Sequence, residues 1–168
     1  SSSPNPGVYT TGESSNVFLA GTKFPVEEVD FNIIGDSLIA IETASQADDR
    51  YYEPSGDEGY HIVLNANDTF TLSKVKNLEN VNEPCEQDNP GQVGWGTWSI
   101  KNEDFMGTYS FPEDGAIFFD DHVWVEGIID SARLTIGSSG NIIVNSDIIY
   151  TNYDGQDAIG LIAQNNID

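Results

Sequence analysis

The C-terminal third of the chain repeats itself, and this limits what it can fold into more than any other feature. "AIFFDDHVWVEGII" from Ala116, "ARLTIGSSGNIIVNSDIIY" from Ala132 and "AIGLIAQNNI" from Ala158 follow the same order when set one above another. Each opens with Ala and an apolar triplet: Ile117-Phe118-Phe119, then Leu134-Thr135-Ile136, then Leu161-Ile162-Ala163. A polar corner follows, "DDH", "GSSGN" or "QNN". A second apolar strand comes next: Val123-Trp124-Val125, then Ile142-Ile143-Val144, then Ile167. Ile128-Ile129 and Ile148-Ile149 supply a third short piece. The first interval is roughly 17 to 20 residues, the size of one turn of a β-solenoid. The second is longer, and its surplus, "YTNYDGQD", reads as a loop inserted at one corner.

Short apolar runs separated by Gly, Asn, Asp and Ser make flat strands and tight corners. One such turn cannot bury its inward side chains alone, whereas stacked turns can, through parallel hydrogen-bonded ladders. The expected fold is therefore mostly β, with a short right-handed β-solenoid-like C-terminal part. An antiparallel β-sandwich with equally short strands is the alternative.

Upstream, "GYHIVLNANDTFTLSKV" alternates as a β-hairpin should, with Tyr60, Ile62 and Leu64 on one side and His61 and Val63 on the other. "IGDSLIAIETASQADD", Ile34 to Asp49, fits a helix with Ile34, Leu38 and Ile41 on one face and Asp36 as its cap. The alternation in "SLIAIET" fits a strand about as well. "NEPCEQDNPGQVGWG" is a long surface loop, after which "GTWSI" resumes as a strand. The expected division is an extended or strand segment over 1–32, a hairpin-rich β region with at most one helix over 33–114, and the repeats over 115–168. The hairpins would cover the side or end of the stack, because an open end exposes strand edges.

Charge narrows the function classes. Acids outnumber bases 28 to 6, giving a formal net charge of −22. That balance argues against nucleic acid, which demands Lys and Arg against phosphate, and against anionic lipid surfaces. It favours solubility, divalent cations and neutral or basic partners; a halophilic cytosol is a second reading. With 38% hydrophobic residues and three Trp, seven Tyr and eight Phe, the chain can bury a core. A single cysteine, Cys85, excludes an internal disulfide. No run of 18 apolar residues exists, so this segment is not expected to insert into a membrane. The start, "SSSPNPG", reads as a processed or recombinant beginning, so a targeting or anchoring segment would lie upstream.

The stretch from Gly115 to Ile167 resembles the C-terminal β repeat region of bacterial PilX-like, pilin-like pilus-assembly proteins. "VWVEG", "RLTI", "GNIIV", an acidic loop and "GLIA" stand in that order. "EPSGDEGYHIVL", Glu53 to Leu64, is similar to the region that precedes it in such proteins. The resemblance implies an extracellular, mostly β domain displayed on a filament or the envelope, with no catalytic residues. The pilin-type apolar N-terminal helix is not within this sequence.

Several constellations offer chemistry. Asp154 and Asp157 flank a glycine in "NYDGQD", and Asp147 on the preceding strand adds a third carboxylate. Such a loop suits Ca²⁺, which takes six to eight oxygen ligands; the plain alternative is a turn with Asp at its usual positions. No other cofactor is implied. In Asp120-Asp121-His122, neighbouring side chains alternate, so only Asp120 and His122 share a side for acid–base work. Solenoids also carry polysaccharide-cleaving enzymes with carboxylates and a basic residue, yet only Arg133 lies in the repeats. Trp95, Tyr51 and Tyr52 are candidate stacking platforms for sugar rings, whereas Trp98 reads as core. Cys85 sits between Glu83 and Glu86, which disfavours a thiolate nucleophile. His61 is one of two histidines, so no His-rich zinc site is expected. Asn67-Asp68-Thr69 fits a glycosylation sequon.

Together these point to a secreted or cell-surface domain, non-enzymatic, structural or adhesive, in a pilus-like or envelope-displayed filament. Its partners would be itself or other filament subunits, with Lys74, Lys76 and Lys101 as sparse basic contacts, or extracellular glycans. A carbohydrate-binding or carbohydrate-active β-helix protein is the alternative.

Overall fold

The computed structural model describes residues 32–79, 98–153 and 155–168. Most of the segment 1–32, and the loop carrying Cys85 and Trp95, lie outside the described residues, as does Asp154. One helix, α1 (Asn32–Ala47), precedes nine strands: β1 (Tyr51–Tyr52), β2 (Gly59–Asn65), β3 (Thr69–Leu78), β4 (Ile100–Ser110), β5 (Ala116–Phe119), β6 (Val123–Ile129), β7 (Arg133–Ser138), β8 (Ile142–Tyr150) and β9 (Ala158–Ala163).

The protein is mostly β and its strands form two sheets. Sheet A has the order β1-β5-β7-β9, and sheet B the order β4-β3-β2-β6-β8. All pairs in sheet A are parallel, as are β2–β6 and β6–β8 in sheet B. Only β2–β3 and β3–β4 are antiparallel. The antiparallel sandwich is thus not what the chain forms. Apart from β2, β3 and β4, which follow one another within sheet B, successive strands alternate between the sheets. Both sheets cross residue 115, since β1 pairs with β5 and β2 with β6.

The repeats align as the sequence indicates in one sheet and need a correction in the other. In sheet B, Val123, Trp124 and Val125 pair with Ile142, Ile143 and Val144, and Ile142 bridges Ile167. In sheet A, Ile117 pairs with Ile136, not Leu134, and Ile136 with Leu161. The sequence alignment was two residues off, which preserves the facing of every side chain. The third piece slips by one: Gly127 pairs with Ile148, Ile128 with Ile149 and Ile129 with Tyr150. A register shift between Val125 and Gly127 accounts for it. That slip changes facing, so Ile129 is fully buried while Ile128 and Ile149 are exposed.

Hydrogen bonds also link the corner residues of neighbouring strands. Tyr60 N–H donates to His122 O (2.9 Å), Val123 N–H to Asn141 O (3.0 Å) and Ile142 N–H to Asn166 O (2.9 Å). The carboxylate of Asp121 accepts from the Ser55 amide (2.8 Å), its hydroxyl (2.6 Å) and the His122 amide (2.8 Å). His122 Nδ1 accepts the Asn141 amide (2.8 Å), one turn further on. These backbone groups would otherwise be costly to bury.

The core lies between the sheets. Its buried members include Ile62, Leu64, Phe70, Leu72, Ile117, Phe119, Val125, Ile129, Ile136 and Ile142. Each such side chain contributes roughly 1.5–3 kcal/mol by leaving water. A smaller cluster of Val75, Trp124 and Ile143, with Leu78, Trp98 and Ile100, covers the outer face of sheet B. Trp124 is fully buried there, and its indole N–H donates to Trp98 O (2.6 Å).

The ambiguous segment is helical, and it packs on sheet A through β5, β7, β1 and β9. Leu38, Ile41, Ala44 and Ser45, at helical spacing, are half-buried or buried, as are Ser37 and Glu42, while Ile39 is exposed. The helix starts at Asn32, so Asp36 is not its cap but lies a turn inside. Asp49 adopts a left-handed conformation, and Arg50 N–H donates to Ser45 O (2.7 Å), which closes the C-terminus. Gly137 on β7 allows the close approach. A Cβ there would lie 2.8 Å from Phe118 Cδ2 and 3.1 Å from Ile41 Cγ2.

The hairpin expectation is met by β2 and β3, joined through a turn in which Asn67 is exposed. With β4 the hairpin extends sheet B beyond β2. β4 is then an edge strand. Lys101, Glu103 and Asp104, with three register shifts against β3, blunt it for further pairing.

Candidate ligand cleft between helix and sheet

Parallel, in-register strands place residues of successive turns in rows. Tyr51, Phe118, Gly137 and Ile162 form one row on the outer face of sheet A. Tyr52, Phe119, Ser138 and Ala163 form the neighbouring inward row. The "YY" pair is thereby split. Tyr52 is half-buried and packs against the core, stacked on Phe119 (4.9 Å between centroids, 13° between planes) and tilted against Tyr60 (5.7 Å). Burial pushes its phenol up to about 12.

Tyr51 is half-buried on the outside, parallel to Phe118 (5.7 Å, 1°), and its hydroxyl lies 3.4 Å from Asp120 Oδ2. Partial burial, then the negative charges of Asp120, Glu53 and Glu42, raise its pKa. Beside it opens a cleft of ≈ 350 Å³. Gly35, Leu38, Ile39 and Glu42 of α1 form one wall; Tyr51, Phe118, Asp120, Ser139 and Gln164 form the other. The lining combines an aromatic pair, two carboxylates, a hydroxyl and an amide. It holds no basic side chain. Such a cleft accepts hydrogen bonds from hydroxyl-rich or cationic groups and repels anions.

The other candidates are dispersed. Asp120 faces Tyr51, whereas His122 bonds the Asn141 amide and sets its ring edge-on to Trp98 (5.3 Å). The two are committed to different partners. Asp157 holds the inserted loop. Its carboxylate accepts the amides of Asn152 (2.8 Å) and Ser131 and the hydroxyl of Thr151 (3.4 Å). The Asn152 amide is the main cause of its lowered pKa. Asp130 binds the same loop through Thr151 Oγ1 (2.6 Å). Asp147 is exposed on β8. Among the described residues no group of three or more His, Cys, Asp or Glu converges as a metal-holding set.

Arg133 Nη2 donates to Gly155 O (3.2 Å), so it too supports the inserted loop. Lys74 donates to Ser55 O (2.7 Å) and Lys76 pairs with Asp57 (2.6 Å). Trp98 is half-buried just before β4, which agrees with its reading as packed. Trp95 and Cys85 lie outside the described residues. Among those described, no helix is long and apolar enough to cross a membrane.

Glu42, Ser139 and Gln164 were not singled out from the sequence. Glu42 required knowing that residues 32–47 are helical; the corner residues required the exact register.

Comparison with known proteins adds no relative to this description. No protein-family model matches the chain, and no curated protein or solved structure matches it significantly.

Proposed function

We propose that this chain is a short right-handed β-solenoid scaffold with a non-enzymatic, structural or adhesive role on a cell surface or filament. One observation carries the reading. From β5 to β9 successive strands alternate between two sheets and stack in parallel, so that Ile117 meets Ile136 and Val123 meets Ile142, each 19 residues later. Such a stack is rigid along its length, because each turn is fixed by the ladders of its neighbours. The right hand follows the strong preference for right-handed parallel crossovers. A net charge of −22 keeps the surface hydrated and averse to other acidic surfaces. The PilX-like sequence resemblance agrees with display on a pilus-like filament or envelope.

Immunogold labelling of the cells that make the protein tests this. The expected result is label along filaments or the cell exterior. Label confined to the cell interior would overturn it. Self-assembly is tested by sedimentation across a salt series, since acidic surfaces associate only when screened or bridged.

The cleft supports a second reading, in which the scaffold also holds a glycan. Tyr51 on Phe118 supplies an apolar wall beside Glu42 and Asp120 as hydroxyl acceptors. Neutral oligosaccharides should bind the wild type and fail to bind Tyr51→Ala; equal binding by both would remove this reading. Ca²⁺ at the acidic loop rests on Asp147, Asp154 and Asp157. It is tested by thermal unfolding in millimolar Ca²⁺ and in EDTA, and an unchanged midpoint would remove it.

A further inference from the structure

The outer face of sheet B carries a titratable cluster on the opposite side of the molecule's core from the cleft. His61 on β2 is 7% exposed. Its Nδ1 lies 2.7 Å from Glu103 Oε2 of β4, and its Nε2 lies 3.3 Å from Glu126 Oε1 of β6. Asn145 Nδ2 of β8 donates to Glu126 Oε2 (3.1 Å). Ser73 of β3 lies directly opposite His61 in the ladder. The two glutamates address opposite ring nitrogens, so the three groups do not meet at one point.

A carboxylate only accepts hydrogen bonds, so the short contact makes Nδ1 an N–H donor. In the singly protonated ring, Nε2 presents its lone pair. That atom is buried and has no hydrogen-bond partner among the described residues. It faces a carboxylate oxygen, which is also an acceptor. Two acceptors brought together out of water require something positive between them.

The spacing fits a metal. Bonds of about 2.0–2.2 Å from a tetrahedral d-block cation to a nitrogen and an oxygen place those donors roughly 3.4 Å apart. An Nδ1–H bonded to a carboxylate is also the arrangement that orients metal-binding imidazoles. We propose that His61 Nε2 and Glu126 Oε1 form a site for a divalent d-block cation of the Zn²⁺ class. Glu103 is its positioning residue, and water completes the coordination. An imidazole with one carboxylate selects such ions over Ca²⁺ and Mg²⁺, which prefer oxygen alone. The side chain of Glu126 is 23% exposed, which gives the ion a path from solvent. This site is independent of the scaffold and glycan readings.

The experiment is a Zn²⁺ titration of the full chain, followed by the imidazole nitrogen resonances. Two histidines make the spectrum simple, and His122 is an internal control because its Nδ1 is held by the Asn141 amide. The expected result is saturation at one Zn²⁺, with the His61 Nε2 resonance displaced, His122 unmoved, reversal by EDTA and no response to Ca²⁺. Glu126→Gln should abolish the His61 response. Glu103→Gln should weaken Zn²⁺ binding about 10–100-fold, the usual cost of losing such a partner. No displacement of His61 at excess Zn²⁺ overturns the proposal and leaves a proton as the occupant. A response that survives Glu126→Gln also overturns it, as adventitious binding by the acidic surface. Should Glu126→Gln fail to fold, Glu126→Asp retracts the carboxylate, and an unchanged Zn²⁺ affinity in that variant overturns the proposal equally.

Discussion

The sharpest test of the stacked architecture is to remove one rung from its middle. Ile136 is fully buried and pairs on one side with Ile117 and on the other with Leu161. Leu161 is only half-buried, with its turn at the sheet edge. Cutting either to alanine deletes apolar atoms, but only the central site leaves a closed cavity. An Ile→Ala change in a packed interior costs about 2–5 kcal/mol, the spread depending on how far the walls relax. Here the walls are two backbone ladders fixed by hydrogen bonds, so the upper half of that range is expected. Leu161→Ala should cost about 1–2 kcal/mol, since less of its surface is withdrawn from water. At roughly 3 °C per kcal/mol for a domain of this size, the expected shifts are about 10–15 °C and about 3–6 °C. Ile149→Ala, on an exposed outer position, should fall within about 0.5 kcal/mol of wild type. Urea and thermal unfolding of the three variants measure the differences. Equal losses for Ile136→Ala and Leu161→Ala would refute the reasoning, because the central rung would then be no more enclosed than the outer one.

Gly127 has a positive φ, and a Cβ at that position would run into the Leu64 carbonyl on β2. Gly127→Ala should therefore cost more than about 3 kcal/mol, read as lost soluble yield or a lowered urea midpoint. Asp157 has a lowered pKa, so its contribution to stability is full above the ordinary carboxylate range and is lost as pH falls through the lowered value. Hydrogen-exchange protection of the Asn152 amide, measured against the intrinsic exchange rate at each pH, should fall at acid pH in the wild type, and Asp157→Asn should be unprotected throughout. Tyr52 is raised to about 12, so the folded state resists its ionisation. Its effect on stability is full below pH 10 and is lost as pH rises from 10 to 12, where the unfolded chain releases that proton first. Phenolate absorbance should therefore show one tyrosine titrating late and together with unfolding, and Tyr52→Phe should remove that step.

The turns were legible because their apolar strands are short and their corners polar. Register in sheet B could be read from Val123-Trp124-Val125 against Ile142-Ile143-Val144, two triplets of like size. Register in sheet A could not. Phe118 packs on Gly137, and a glycine offers no hydrophobic signal. Its role becomes visible only when Ile41 of α1 arrives over it. The helix itself competed with a strand pattern, and contact with sheet A decided the matter in favour of Leu38, Ile41 and Ser45. The cleft was half legible. Tyr51 and Asp120 stood out as an aromatic and an acid, but which of two adjacent tyrosines faces outward depends on a single-residue register. The His61 cluster joins β2, β4 and β6, whose residues lie far apart in the chain, and no local pattern announces it.

The position of the hairpin has a consequence for the dimensions of the molecule. β3 takes the side of β2 that β6 does not, so sheet B is closed to new turns before β2 without displacing the hairpin. A turn duplicated after Tyr150 would meet only others of its kind. It would leave β1 to β8 in place, along with the His61, Glu103 and Glu126 group. Each added unit would lengthen the body by one strand spacing, about 4.8 Å. On the proposed solenoid reading, the hairpin marks one end of the 32–168 unit and the number of stacked repeats sets how far it extends.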